Sequence, residues 1–510
     1  MARILLIHPG LNAKDGNYYT IMPMGLISIG DKLEKDKHEV RILNLGLEKK
    51  LNKSFSLEKY LDSFKPDFVG VDMHWYPYIY DSIEVAMICK SKGAVVILGG
   101  LTASIFAKDI LERFPFVDGV IVGQGEIPFS ELVKNWNKDK SLVPNLVYKN
   151  GEKILLPSKF ADTSENIDRL EFYNFDLIEN KDFYLKTTTS TGNFTVINSK
   201  YIPKKFYFLF VGRGCSMFCS NCCANSYNFK KIGIDKPLFR SPKRVVRDIL
   251  NLQNMGFDLL YIQFDPKPFS EKFYDELFDE LRAVRHKLNM GIVFGSWGGS
   301  IPSDNMIKNI SQMFCPEMST IEISPESAVE RIRRMNGRGN YSNDEIIESI
   351  NKIKRKKIHV CCFLSAGFPF EGPEDAYKTI EFAKYLIDLD VSASFFPPNI
   401  EPGSPAWYFP ERYKITLFRK TFDDFMEYSI MLKDCIYPEH PIGYETHLLK
   451  EKEIMELEMK AYSELYLNRK FILNRFKYSV RSSDRILPKI TVFSSIIFKN
   501  YKLIWMFKKS

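Results

Sequence analysis

The chain has no stretch of eighteen uncharged apolar residues, so nothing in it reads as a membrane-spanning helix. No secretory leader stands at its start, and cysteine is scarce, with nine in 510 residues. Cys89, Cys315, Cys361, Cys362 and Cys435 are scattered without paired spacing and read as small buried hydrophobes. Together these absences exclude a disulfide framework and predict a cytoplasmic, oxygen-sensitive protein. A general basic surface is missing too. The net charge is +8, but from Arg469 to the end eleven Lys or Arg stand against one acid, Asp484. The rest of the chain is close to neutral, which excludes nucleic acid as a partner of the body. With 45% hydrophobic residues, global disorder is excluded as well, and the length predicts two or three domains.

What is there is concentrated in VGRGCSMFCSNCCAN. Cys215, Cys219 and Cys222 stand at C-x3-C-x2-C. Three thiolates can hold three irons of a 4Fe–4S cluster and leave the fourth iron open to a substrate. The alternative is structural zinc, which usually takes four protein ligands, often as two separated pairs. Cys223 is adjacent to Cys222 and its side chain should point elsewhere. The stretch resembles the signature of the radical S-adenosylmethionine (radical SAM) enzymes. The resemblance implies that the open iron chelates S-adenosylmethionine (SAM), that the cluster cleaves it reductively, and that a 5'-deoxyadenosyl radical then takes hydrogen from an unactivated carbon. Cys215, Cys219 and Cys222 become the expected metal ligands and catalytic residues.

Upstream, apolar runs alternate with helical stretches. ARILLIHPG, HEVRILNLG, DFVGVDMHW, AVVILGG and DGVIVGQGE read as strands closed by polar or glycine-rich residues. That alternation predicts an α/β fold with a parallel sheet covered on both faces, and ligands at the carboxyl ends of its strands. Asp72, His74, Gly99, Gly100, Gly123, Gly125 and Glu126 all fall there. Pro23-Met-Gly25-Leu26, Gly99-Gly100-Leu-Thr102 and Gly123-Gln-Gly125-Glu126 resemble the Rossmann-like cobalamin-binding domain of one radical SAM subclass. The resemblance covers residues 1–145 and implies cobalamin contacts from those strand-end residues and Thr102. Glycines there would let the backbone approach the nucleotide tail. A generic dinucleotide-type sheet with turn-forming glycines is the other reading. The first loop, HPGLNAKDG, lacks the Asp-x-His-x-x-Gly pattern of proteins that ligate cobalt with histidine, so His74 is not assigned as a cobalt ligand.

Residues 146–200 read as a connector that opens with a hairpin turning at Asn150-Gly151. From 201 to 430 the alternation returns, as a partial (β/α)6 barrel whose strand-end loops share one mouth. The radical SAM resemblance implies further roles. Asp265 would meet the SAM ammonium through a charge-assisted hydrogen bond. Glu322 and Ser324 would hold the ribose, and Gly367 would pass close to adenine. The residue before the third cysteine, usually aromatic, is Asn221 here, and Phe218 is the nearest aromatic.

Residues 431–510 form a small, helical, basic C-terminal region. Ile486, Ile490, Phe493, Ile497, Tyr501 and Ile504 make an apolar stripe, with Lys489, Lys499 and Lys502 largely off it. Such a helix can lie on an anionic membrane surface or pack on the barrel with a solvated basic face. The whole resemblance implies a cobalamin-dependent radical SAM methyltransferase acting on an unactivated carbon, with a 4Fe–4S cluster, SAM and cobalamin as cofactors. An external donor such as flavodoxin or ferredoxin would supply the electron, and the substrate would be a small molecule, lipid or peptide. Ring contraction, cyclisation or oxidation with the same cofactors is the alternative outcome; a non-catalytic metal or cobalamin sensor is a further one.

Overall fold

The computed structural model describes residues 1–10, 24–162, 167–188, 205–296, 299–396, 398–434 and 441–466. The five predicted N-terminal strands form: β1 (Arg3–His8), β2 (Glu39–Asn44), β3 (Phe68–Asp72), β4 (Val95–Gly99) and β5 (Gly119–Ile121). They pair in parallel in the order β2–β1–β3–β4–β5. Ile4, Leu5, Leu6 and Ile7 are all buried, as a central strand covered by helices on both faces requires.

The predicted hairpin, β6 (Leu146–Asn150) and β7 (Lys153–Leu155), adds two antiparallel strands to the edge of this same sheet. The joining segment, residues 167–188, is stitched to both halves of the molecule. Ile178 bridges to Ile42 of β2, and Asn174 donates to Asp31 at 3.1 Å. Phe175 packs edge-on against Tyr207, at 5.1 Å between ring centres.

The second sheet is a parallel, incomplete six-stranded barrel. It is made of β8 (Phe206–Phe208), β11 (Leu259–Ile262), β12 (Gly291–Ser296), β13 (Thr320–Glu326), β14 (His359–Leu364) and β15 (Ser392–Phe395). Between the first two of these, β9 (Gly212–Arg213) and β10 (Leu238–Phe239) form a short antiparallel ladder of their own. The period-2 alternation is visible in β11. Leu260 and Ile262 face the main core, while Leu259 and Tyr261 join Phe206 and Val293 in a small cluster of their own.

After the barrel the chain crosses back. The helix Phe422–Asp434 lies on the first domain, where Lys433 pairs with Asp81 at 2.6 Å and Ser429 accepts from the Tyr80 amide at 3.1 Å. Phe422 and Phe425 pack on Phe106. The apolar stripe from Ile486 to Ile504 lies outside the described residues. Among those described, no helix is long and apolar enough to cross a membrane.

Candidate functional site

The carboxyl ends of both parallel sheets open into one cavity of about 890 Å³. A strand-end loop is where an α/β sheet can offer backbone and side chains without breaking its ladder, so two such edges face to face make a two-sided chamber.

On the barrel side, the β9–β10 ladder closes the base of the cysteine loop. Cys215, Cys219 and Cys222 all line the cavity. Two other segments hold the loop in place. The Ser220 amide donates to the Asn336 carbonyl at 3.0 Å, and the Cys219 thiol points at the Gly337 carbonyl at 3.6 Å. From the opposite side, the Ala406 amide donates to the Ser220 carbonyl at 2.9 Å, and Glu401 accepts from the Cys223 amide at 2.8 Å. Burial pushes the Cys215 thiol up to about 11, and the Cys219 and Cys222 thiols upward as well. Such thiols are poor free nucleophiles, but a bound metal deprotonates its thiol ligands outright. Among the described residues no three His, Cys, Asp or Glu side chains converge on a point that one ion could occupy. Each thiolate of a cluster bonds its own iron, so the three need not converge.

The remaining barrel residues divide. Asp265 lines the cavity, buried, and accepts from Ser270 at 2.6 Å and Ser296 at 3.3 Å. Burial raises its pKa above the ordinary aspartate value against the pull of Lys267. Ser324 also lines the cavity and donates to Glu326 at 2.7 Å. Glu322 does not border the cavity; two residues before Ser324 on the same face of β13, it accepts from Tyr261 at 2.6 Å, one layer deeper in the barrel. Gly367 is turned away too. A side chain there would meet Ile454 at 2.4 Å, and its carbonyl accepts from Tyr444 at 2.8 Å. Asn221 lines the cavity with a buried side-chain oxygen that has no partner among the described residues. Phe218 instead packs on Tyr227, at 6.4 Å.

One barrel group escaped the sequence reading. Arg338 lines the cavity and pairs with Glu326 at 3.0 Å. Burial alone would weaken its proton, but Glu326 first, then Cys219 and Cys222, outweigh that and hold it above the ordinary value. Glu326 has the left-handed φ of +66°, beside a register shift in β13. Such strain in a non-glycine residue clusters at functional sites. The only sequence signal was an Arg just after Asn336-Gly337, and nothing local announces that this turn folds onto a loop more than a hundred residues earlier.

On the other side, Asp72, His74, Gly99, Gly100, Gly123, Gly125 and Glu126 border the cavity. Thr102 does not; its hydroxyl donates to the His74 carbonyl at 3.0 Å and pins the turn from behind. At Gly99 a side chain would have only the Ile121 carbonyl nearby, at 3.9 Å, so it would project into the cavity. Gly100 must be glycine for a different reason: its φ is +111°, and a β-carbon would strike the His74 backbone at 2.6 Å. Asp72 is held by His8 at 2.8 Å, both buried. Burial lowers the pKa of His74 although Asp72 opposes it, so the imidazole is neutral. The room at Gly99 and the bare backbone around it fit a large planar ring system. The thiols, with a cation beside them, fit an iron–sulfur cluster.

Comparison with known proteins agrees with both halves. Residues 209–383 match the model of the radical SAM superfamily, and residues 17–133 match that of the B12 binding domain. The chain is 25% identical over 455 residues to an uncharacterized methyltransferase of Pyrococcus horikoshii, covering 88% of this chain and 89% of that one. It is 22% identical over 271 residues to the hopanoid C-3 methylase of Methylococcus capsulatus, covering 51% of this chain and 47% of that protein. Among solved structures it resembles the radical SAM methyltransferase TsrM of Kitasatospora setae, determined with cobalamin and a 4Fe–4S cluster bound. The TM-score is 0.65 at 14% identity, over 92% of this chain and 89% of that one.

Proposed function

The chain belongs to the radical SAM superfamily and carries a B12 binding domain ahead of its radical core, and from that premise we propose that it is a cobalamin-dependent radical SAM methyltransferase. The observation that carries the proposal is the shared cavity: the cysteine loop and the glycine-lined strand ends face the same space. The radical SAM domain implies a 4Fe–4S cluster and SAM, the B12 binding domain implies cobalamin, and together these would supply reductive SAM cleavage and a transferable methyl group.

In this reading residues 1–155 hold cobalamin, 167–188 join the two halves, 205–396 form the radical core, and the segments beyond close the cavity. Cys215, Cys219 and Cys222 hold the cluster, and Arg338 balances their negative charge. Asp265, fixed by Ser270 and Ser296, offers its carboxylate to the SAM ammonium. Ser324, with Glu326 behind it, offers a hydroxyl at the barrel mouth. Gly99 leaves room for the ring, and Gly100 keeps the turn tight enough for backbone contact. Phe208, Phe210, Phe229, Phe264, Phe363 and Phe396 line the same cavity, so the methyl acceptor presented there is a small molecule with substantial apolar surface. As in other radical SAM enzymes, an external one-electron donor would start the reaction.

Anaerobic turnover tests this. Protein reconstituted with iron, sulfide and cobalamin, given SAM and a strong reductant, should form both 5'-deoxyadenosine and S-adenosylhomocysteine. The Cys219→Ala variant should lose the deoxyadenosine. Cluster-loaded wild type that makes neither product would overturn the enzymatic reading.

A further inference from the structure

Glu126 and Arg213 sit on opposite halves of the molecule, yet they form one buried ion pair. Arg213 donates to Glu126 through both terminal nitrogens, at 2.8 and 3.3 Å. Both side chains are almost fully buried, at 3% and 9% exposure. Each is bonded into its own half. Ser28 donates to Glu126 at 3.0 Å, and Glu126 opens the helix Glu126–Asn135, where the helix dipole favours a carboxylate. Arg213 lies over the ring of Phe210, at 5.3 Å, and that ring stacks on Phe172 of the joining segment. In β9, Arg213 also belongs to the ladder that closes the base of the cysteine loop.

The sequence places each partner next to a cofactor element. Glu126 directly follows Gly123-Gln-Gly125, and Arg213 immediately precedes Gly214-Cys215. The same junction is tight elsewhere. At Gly123, φ +85°, a β-carbon would lie 3.0 Å from Ile232, at the end of the helix after the cysteine loop. An exposed pair here would be a weak tie, but a desolvated, doubly bonded one resists separation, because either partner alone would be a buried uncompensated charge.

We propose that Glu126 and Arg213 are positioning residues that couple the two cofactor sites. A cofactor that shifts one partner must carry the other with it, because parting them would strand a buried charge, so filling one site biases the geometry of the second. Glu126, which also borders the cavity, acts in this coupling through Arg213. Coupling of this kind is reciprocal, so cluster loading must tighten cobalamin binding by the same factor that cobalamin tightens the cluster.

The test is the ratio of hydroxocobalamin dissociation constants without and with the reconstituted cluster, read by absorbance titration. The expected ratio is about fivefold or more in the wild type. In Arg213→Met and in Glu126→Gln, made in opposite halves so that misfolding of one leaves the other informative, it should fall toward one. Arg213→Lys, which keeps the charge, should restore part of it. A role confined to holding the halves together would lower melting temperature and leave the ratio unchanged, which would overturn the coupling. This inference rests on the function proposed above. A wild-type chain that binds neither cofactor would sink that function and the coupling together, whereas one that binds both with a ratio of one sinks the coupling alone.

Discussion

The two walls of the cavity are built on different principles. The wall from the first sheet is glycine-rich: Gly25, Gly99, Gly100, Gly123 and Gly125 border it among apolar side chains, and its acids are already paired, Asp72 with His8 and Glu126 with Arg213. The barrel wall sets reactive and charged side chains among its phenylalanines: three thiols, Asp265, Ser324, and the Glu326–Arg338 pair. The first wall selects by space, as suits a large, nearly planar cofactor whose reactivity is its own. The second selects by charge and ligation, as suits a metal cluster and a small zwitterion. Damage to the first wall should therefore act through bulk, and damage to the second through lost charge or lost bonds.

Four substitutions probe that contrast. Cys219→Ala removes a ligand that room cannot replace, so iron content should fall and deoxyadenosine formation should drop below detection; cobalamin affinity should move only by the coupling factor. Gly99→Leu puts a branched side chain at the cavity edge, where a β-carbon meets just the Ile121 carbonyl, at 3.9 Å. Forcing such bulk against a bound ring costs about 3 kcal/mol, roughly a hundredfold in cobalamin affinity by titration, with cluster absorbance unchanged. Equal losses at both sites would erase the contrast.

Asp265→Asn keeps the shape and removes the charge. Loss of one charge-assisted hydrogen bond, about 1.5 kcal/mol, should weaken SAM binding about tenfold by calorimetry and leave cobalamin binding alone. Because burial holds the Asp265 pKa above its ordinary value, SAM affinity should also decline as pH falls, beginning at a higher pH than a free aspartate would give.

The smallest effect is expected away from both walls. Burial pushes the Glu458 carboxyl up to about 8, from an ordinary value of 4.5. Its neutral form is thus favoured in the folded state, and the stability tied to it is complete below about pH 4.5 and is lost as pH rises through about 8. Glu458→Gln should flatten this loss, raising the melting temperature at about pH 9 by about 2–4 °C relative to wild type, with no change at about pH 4. A change in either cofactor affinity would show that the contrast extends beyond the cavity walls.

Much of this was legible in the sequence, unevenly. The two rows of parallel strands were readable because covered strands are apolar throughout and end in polar or glycine-rich turns. Cys215, Cys219 and Cys222 were readable because three ligands from one loop fix a local spacing. The pairings were not. Glu126 was readable from Gly123-Gln-Gly125 beside it, but a sequence does not say which distant acid a buried arginine meets. Arg338 was missed because its importance comes from a turn folding back onto the cysteine loop. The hairpin was visible at Asn150-Gly151, but not its place on the edge of the first sheet, since an antiparallel pair carries no mark of its third neighbour. Glu322 and Ser324 have the right chemistry and lie on the same strand face, yet two residues along a strand separate the cavity mouth from the layer beneath.

If the two walls serve as described, both cofactors face each other across one cavity. Electron paramagnetic resonance of the reduced cluster, recorded alone and with cob(II)alamin bound, addresses this arrangement. Two unpaired spins sharing this cavity should interact, so the spectrum of the doubly loaded protein should show dipolar broadening or splitting absent from either singly loaded form. A spectrum equal to the sum of the two independent signals, at full occupancy of both sites, would contradict a shared cavity.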